Sequence, residues 1–127
     1  MKEKVHASKR VFKTSWFTKA AKKARIKDET LCTAIRQVMN GQAVDLGGGV
    51  FKKRLNENKH RSIILAKSGS YWVYEFLFAK KDLDNIDDDE LANFKILAKA
   101  YADLSEKQIE QLLKDESFVE ICNDNKA

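Results

Sequence analysis

The run from Tyr71 to Ala79, Y-W-V-Y-E-F-L-F-A, limits the choice of fold more than any other part of the sequence. At the two-residue period of a strand, Trp72, Tyr74, Phe76 and Phe78 fall on one side and Tyr71, Val73, Leu77 and Ala79 on the other. Both sides are apolar, which places this strand centrally in a sheet. An aromatic row at that period is expected as core rather than as a base-stacking platform.

The neighbouring segments supply the rest of the sheet. Val50 to Leu55 and Arg61 to Ala66 read as strands, and Ser-Gly within Lys67 to Ser70 as a tight turn. Upstream, Arg10 to Thr14 is a short strand. Ser15 is then a candidate N-cap for a helix with Trp16, Phe17, Ala20, Ala21 and Ala24 on one face and Lys19, Lys22 and Lys23 on the other. Asp28 can cap a second helix striped by Leu31, Ile35, Val38 and Met39, which Gly41 stops. Downstream, Asp87 to Glu90 resembles a capping box, with a stripe of Leu91, Phe94, Leu97, Ala98 and Tyr101 behind it. Ser105 to Gln108 opens a last helix carrying Ile109, Leu112 and Leu113. The acidic run lacks the alternating ligands and central glycine of a calcium loop, so no metal site is expected.

A chain of 127 residues, 43% hydrophobic, can bury one core, and residues 10–121 are read as one domain between a basic arm (1–9) and a polar tail (122–127). The arm has no apolar run behind it, so no signal peptide is expected, and the longest apolar stretch is too short to span a bilayer. Cys32 and Cys122 lie far apart with no C-x-x-C pattern and are expected as two reduced thiols of a cytoplasmic protein. Charge is divided unevenly. Residues 1–81 hold 19 Lys+Arg and 6 Asp+Glu, net +13, whereas residues 82–127 are net −8. The first portion suits a polyanion, with an acidic segment following it.

Three glycines, Gly47 to Gly49, precede the cationic strand. They lack the spacing and the following helix of a phosphate-binding loop, and read as a corner between short strands. Beyond the corner, Lys52 and Arg54 share a strand face with Val50, while Phe51, Lys53 and Leu55 take the other. An antiparallel sheet can gather Lys52, Arg54, Arg61 and Lys80 on one surface, where guanidinium forks and a lysine point charge would receive a phosphodiester. An ordinary basic sheet edge fits these cations equally well.

The element order, D-L-G-G-G-V-F-K-K-R, F-A-K-K-D-L-D-N-I-D-D-D-E-L and the late L-S-E-K-Q-I resemble the RelE/ParE toxin superfamily, on its RelE-like branch, over Arg10 to Ile121. The resemblance implies an α+β fold, with an N-terminal helical hairpin packed on a small twisted antiparallel sheet and helices at the C-terminus. It implies the toxin of a type II toxin–antitoxin pair, cytoplasmic, restrained by a cognate antitoxin with a helix-turn-helix DNA-binding part. The activity implied is cleavage of mRNA on the ribosome without metal or cofactor: the ribose 2′-OH attacks the adjacent phosphate and leaves a cyclic phosphate and a 5′-OH. Lys52 and Arg54 would lie near the phosphate, Arg61 would stabilise the transition state, and Lys80 would edge the pocket. Lys19, Lys22, Lys23, Lys53, Lys59 and Lys81, with Arg25 and Lys27, would grip RNA. One departure stands out: the segment before the second strand is shortened to N-E-N-K-H-R, Asn56 to Arg61, with His60 where the family has tyrosine. His60 is a candidate general base or acid, although neighbours on a strand point to opposite faces. The ParE-like alternative is an inhibitor of DNA gyrase, and a third reading is an RNA-binding module with impaired catalysis.

Overall fold

The structure is a computed structural model that describes residues 10–67, 70–82 and 85–122. The basic arm with His6, the Ser-Gly of the tight turn and residues 123–127 lie outside the described residues. The elements are β1 (Arg10–Thr14), α1 (Ser15–Lys23), α2 (Asp28–Met39), β2 (Val44–Gly47), β3 (Val50–Leu55), β4 (His60–Lys67), β5 (Tyr71–Ala79), α3 (Asp88–Ala102), α4 (Glu106–Lys114) and β6 (Phe118–Ile121). They form a six-stranded sheet in the order β2-β3-β4-β5-β1-β6, so β5 is central as its sequence demands.

The architecture is mixed α+β, but two features of the expected arrangement need correction. The chain enters through a strand rather than a helical hairpin, and β1 runs parallel to β5, so the sheet is not purely antiparallel. Val11 and Phe12 explain the placement. Val11 is buried against the helical hairpin and Phe12 against the C-terminal helices, so β1 needs cover on both faces and sits between β5 and β6.

One sheet face packs against α1 and α2 through Phe17, Ala21, Leu31, Ile35 and Val38. The opposite face packs against α3, where Val50, Ile63, Leu65 and Phe78 meet Leu91, Phe94, Leu97 and Ala98. At the β1–β6 end, α4 covers Phe12 and Phe118 with Ile109. The expected capping box of Asp87 with Glu90 forms, and Ser105 forms a second one with Gln108. The earlier helix starts differ by a residue. Thr14 rather than Ser15 caps α1, accepting the Phe17 N–H at 3.0 Å. Lys27 occupies the cap position of α2, and Asp28 binds Lys13 Nζ at 2.7 Å instead.

Strict alternation along β5 also needs correction. Ile63 pairs with Phe76 but Ile64 pairs with Tyr74, so Glu75 is an extra residue in a β-bulge. The bulge reverses the parity after Tyr74. Trp72, Tyr74 and Leu77 therefore pack with the hairpin, while Tyr71, Val73, Phe76 and Phe78 pack with the C-terminal helices. The bulged Glu75 accepts the Tyr101 hydroxyl at 2.8 Å, and the Tyr71 hydroxyl donates to the Tyr101 carbonyl, so the end of α3 is tied to the strand.

The cysteines are not two thiols. Cys32 on α2 and Cys122, just past β6, form a disulfide across 90 residues. Sequence separation alone carries no trace of this pairing, because the sheet brings the chain end back over the hairpin. Opening the bond with reductant, or replacing Cys122 by Ser, is expected to lower stability by about 2–4 kcal/mol. Urea denaturation checks this, and the Cys122→Ser chain should not respond to reductant.

Burial raises the Glu75 carboxyl above its usual range, and the Tyr101 hydrogen bond opposes that shift. The folded chain thus holds this proton more tightly than the unfolded chain. The contribution to stability is full below the ordinary carboxylate pKa and is lost as pH rises through the folded value. Glu75→Gln keeps an acceptor for Tyr101. It should flatten this part of the pH dependence and raise the urea midpoint at pH 7 relative to the parent.

Candidate functional site

The triple glycine is a tight corner under α3. Gly48 and Gly49 join β2 to β3 with φ of +62° and +84°, as a two-residue hairpin turn with both central residues left-handed requires. A Cβ on Gly49 would lie 2.9 Å from the Ala66 carbonyl oxygen, so this strand approaches its neighbour too closely for a side chain. The Gly47 N–H is already bonded to the Asp45 carboxylate at 2.9 Å. The corner is therefore filled by the chain's own groups.

The strand leaving the corner displays the cations as its period dictates. Arg54 pairs directly across from Arg61, and Arg61 across from Phe78, so the two arginines share the α3 face of the sheet. Lys52 lies two residues back on the same face, and its Nζ donates to Asn85 Oδ1 at 3.2 Å. Like charges directly opposite on adjacent strands destabilise a sheet. Here one of them is also buried: Arg61 is only 7% exposed.

What holds Arg61 is the shortened turn. Asn56, Glu57 and Asn58 all have left-handed φ, at 55°, 55° and 74°. Asparagine tolerates this region, whereas Glu57 pays roughly 1–3 kcal/mol of local strain. The coil closes with Lys59 N–H on the Asn56 carbonyl at 3.0 Å. It aims the Asn58 carbonyl at Arg61, whose Nη1 donates to it at 3.0 Å and to the His60 carbonyl at 3.2 Å. Among the described residues no carboxylate lies within ion-pair distance of Lys52, Arg54 or Arg61. Neutral carbonyls orient the guanidinium without cancelling its charge.

The remaining candidates are spread around this trio. Lys80 follows β5 in a turn, with its N–H bonded to the Lys59 carbonyl at 2.9 Å. Lys80 and Lys81 line a 610 Å³ hollow with Asn58, Lys59, His60 and Ala79. His60 is not brought together with Arg61: it pairs with Leu55 and Ala79, whose strand positions face the hairpin side. Its Nδ1 lies 3.1 Å from Asn56 Nδ2. Lys53 also points to the hairpin side and donates to the Gln42 carbonyl at 3.1 Å; burial, then Arg54, lowers its pKa. Lys19, Lys22 and Lys23 are all exposed along α1.

A family model described as RelE toxin of the RelE / RelB toxin-antitoxin system matches residues 9–121. The chain belongs to the RelE toxin family. This RelE-family toxin accordingly has a cognate antitoxin as partner. Comparison with curated proteins and with solved structures gave no match. No helix among its described residues is long and apolar enough to cross a membrane.

Two positioning groups escaped the sequence reading. Asn85 steadies Lys52; it lies within the F-A-K…N-I segment, but nothing in that run marks it for this role. Asn58 steadies Arg61, and the only trace of that role is the N-E-N run, a composition that accepts left-handed backbone. Trp16 was misplaced as well: it is read as part of an apolar helix face, but it is 51% exposed.

The His60 imidazole is pushed below its usual pKa, first by burial and then by Lys59 and Lys81, against the pull of Asp82. Its surroundings therefore favour the neutral imidazole. An NMR titration should give His60 a midpoint below 6.5, and Lys59→Ala should move that midpoint upward.

Proposed function

We propose that this RelE-family toxin is an endoribonuclease that cuts mRNA on the ribosome and so stops translation. The observation that carries the reading is the buried Arg61, held on backbone carbonyls beside Arg54 and Lys52 with no carboxylate partner among the described residues. Burying a charge without a counter-charge is costly, and such sites cluster where a ligand supplies the missing charge. A phosphodiester meets the geometry: Arg61 and Arg54 can fork onto its non-bridging oxygens from adjacent strands.

The ribose 2′-OH would attack the phosphorus as its proton leaves, forming the cyclic phosphate. The bond to the 5′-oxygen breaks, and that oxygen takes a proton to become a 5′-OH. Charge grows on the equatorial oxygens, where the fixed Arg61 guanidinium and the exposed Arg54 beside it would stabilise it most. Arginine does not give up its proton, so Lys52 is the member of the trio able to exchange one. Asn85 fixes its approach. Lys80 and Lys81 would extend the cationic track past the turn, and Lys19, Lys22 and Lys23 would hold RNA on the other side. His60 lies across the strand, and we assign it no step. A ribosomal target places the toxin in the cytoplasm, and its antitoxin is inferred to carry a helix-turn-helix DNA-binding part.

Arg61→Ala is expected to lower cleavage at least 100-fold, the loss typical of removing one transition-state donor, while His60→Gln should leave the rate within about threefold. Inducible expression with mapping of mRNA 5′ ends, with and without ribosomes, measures both. Codon-phased cuts that require ribosomes and vanish in Arg61→Ala support the reading. Intact mRNA with a DNA-damage response would replace it by inhibition of gyrase, and ribosome binding without any cuts would reduce it to an RNA-binding module.

A further inference from the structure

We propose that Trp16 is a stacking platform for an unpaired base of single-stranded RNA, one subsite away from the Arg54–Arg61 phosphate position. The proposal takes its ligand from the RNA-cleavage reading, but its test reads binding alone. Trp16, in the first turn of α1 two residues past β1, stacks on Phe76 with ring centroids 5.1 Å apart and planes 22° from parallel. Phe76 leans in turn on Phe94 at 5.8 Å and on Phe78 at 5.9 Å. The result is an aromatic column rooted in the core whose outermost ring is half exposed. A tryptophan so supported has one face fixed and the other open to a flat partner.

The column also has a defined relation to the cations. Phe78 stands directly across from Arg61, and Phe76 lies in the same cross-strand row as Ile63 and Lys52. Strands are about 4.8 Å apart, so Lys52 and Phe76 begin roughly 10 Å from each other on one surface. This places Trp16 along the path of a strand whose phosphate is held by the arginines.

Charge selects the occupant. Trp16, Lys19, Ala20 and Lys23 share one side of α1, and with Lys22 they line a 480 Å³ hollow. The helix Ser15–Lys23 contains no acidic residue. A planar ring flanked by lysines is the combination that binds single strands: bases stack on the ring while phosphates meet the ammonium groups. The bulge at Glu75 makes this possible. Without it, Phe76 would point to the hairpin side and Trp16 would have no ring beneath it.

The test uses the Trp72→Phe chain, which leaves Trp16 as the remaining tryptophan. A single-stranded RNA octamer, inorganic polyphosphate of matched charge and an acidic peptide of matched charge are each titrated against its fluorescence. The RNA is expected to quench Trp16 saturably, with the other two ineffective at the same concentration. In the otherwise unaltered chain, Trp16→Ala should weaken RNA binding roughly tenfold, within the range for one stacked base, without changing the salt slope. Trp16→Phe should retain binding within about threefold. Equal quenching by polyphosphate, tighter quenching by the peptide, or unchanged RNA affinity in Trp16→Ala each overturns the proposal, the peptide result in favour of a protein-docking face. Arg61→Ala in the same background should lose cleavage yet keep the quenching, which separates failure of this subsite from failure of the nuclease reading.

Discussion

The bulge at Glu75 sets which side chains reach which layer, and both the core and the candidate site depend on it. A nine-residue strand with large apolar groups at nearly every position has two faces to fill. The extra residue lets Tyr74 and Leu77 serve one layer while Phe76 and Phe78 serve the other. It also shifts the pairing, so that Phe78 comes level with Arg61 and Arg54. The bulged carboxylate does not dangle in the core, because Tyr101 binds it from α3. An inserted residue that would disturb a regular ladder is thereby turned into the fastening between the sheet and the helix covering it.

The same face carries an electrostatic imbalance that the acidic residues at the start of α3 leave in place. Asp87 to Glu90 could have neutralised the cationic trio, yet these residues are committed to the start of α3. Asp87 accepts the Glu90 N–H at 2.8 Å, Glu90 accepts the Asp87 N–H at 3.1 Å, and the remaining charges sit where the helix dipole favours them. Elsewhere the chain does pair its cations, as Lys13 with Asp28 and Arg10 with Glu120 show. Buried Arg61, unlike buried Lys13, has no carboxylate partner among the described residues, and the left-handed Asn56–Asn58 coil adds strain to keep it oriented. A strained turn and a buried guanidinium on one surface exceed what an ordinary basic sheet edge needs, where exposed lysines suffice.

What the sequence disclosed and what it withheld divide along physical lines. Local rules acted where interactions are local: Val50–Leu55 and Tyr71–Ala79 have the expected bounds, and D-x-x-E and S-x-x-Q both close as capping boxes. Lys52 and Arg54 could be placed on one face because no bulge interrupts β3 after Val50. The same period rule failed in β5, since nothing local distinguishes a bulged Glu75 from a solvent-facing one. β6 was missed because its four residues gain their role only from β1, more than a hundred positions earlier. Trp16 groups with the apolar face of its helix by sequence, yet apolar surface alone says nothing about whether the fold covers it. Long-range geometry decided each of these cases.

The disulfide raises the question of what holds β6 in a reducing compartment. Besides its ladder with β1 and its cover by the C-terminal helices, two side-chain contacts fasten it. Phe118 stacks on Phe12 with centroids 5.3 Å apart, and Arg10 forks onto Glu120 with bonds of 2.8 and 2.9 Å. The guanidinium pKa is raised chiefly by that hydrogen bond, so the pair is stronger than a casual surface contact. Both attachments join β6 to β1, whereas Cys122 joins the chain end to α2 on the hairpin layer. Opening the disulfide would therefore loosen the seam between the last strand and the helical hairpin before it disturbed the pairing within the sheet. The cationic trio lies three and four strands away from β6, and its geometry rests on β3, β4 and the Asn56–Lys59 coil. Redox state can thus alter the stability of this RelE-family toxin while leaving the arrangement of Arg54 and Arg61 unchanged.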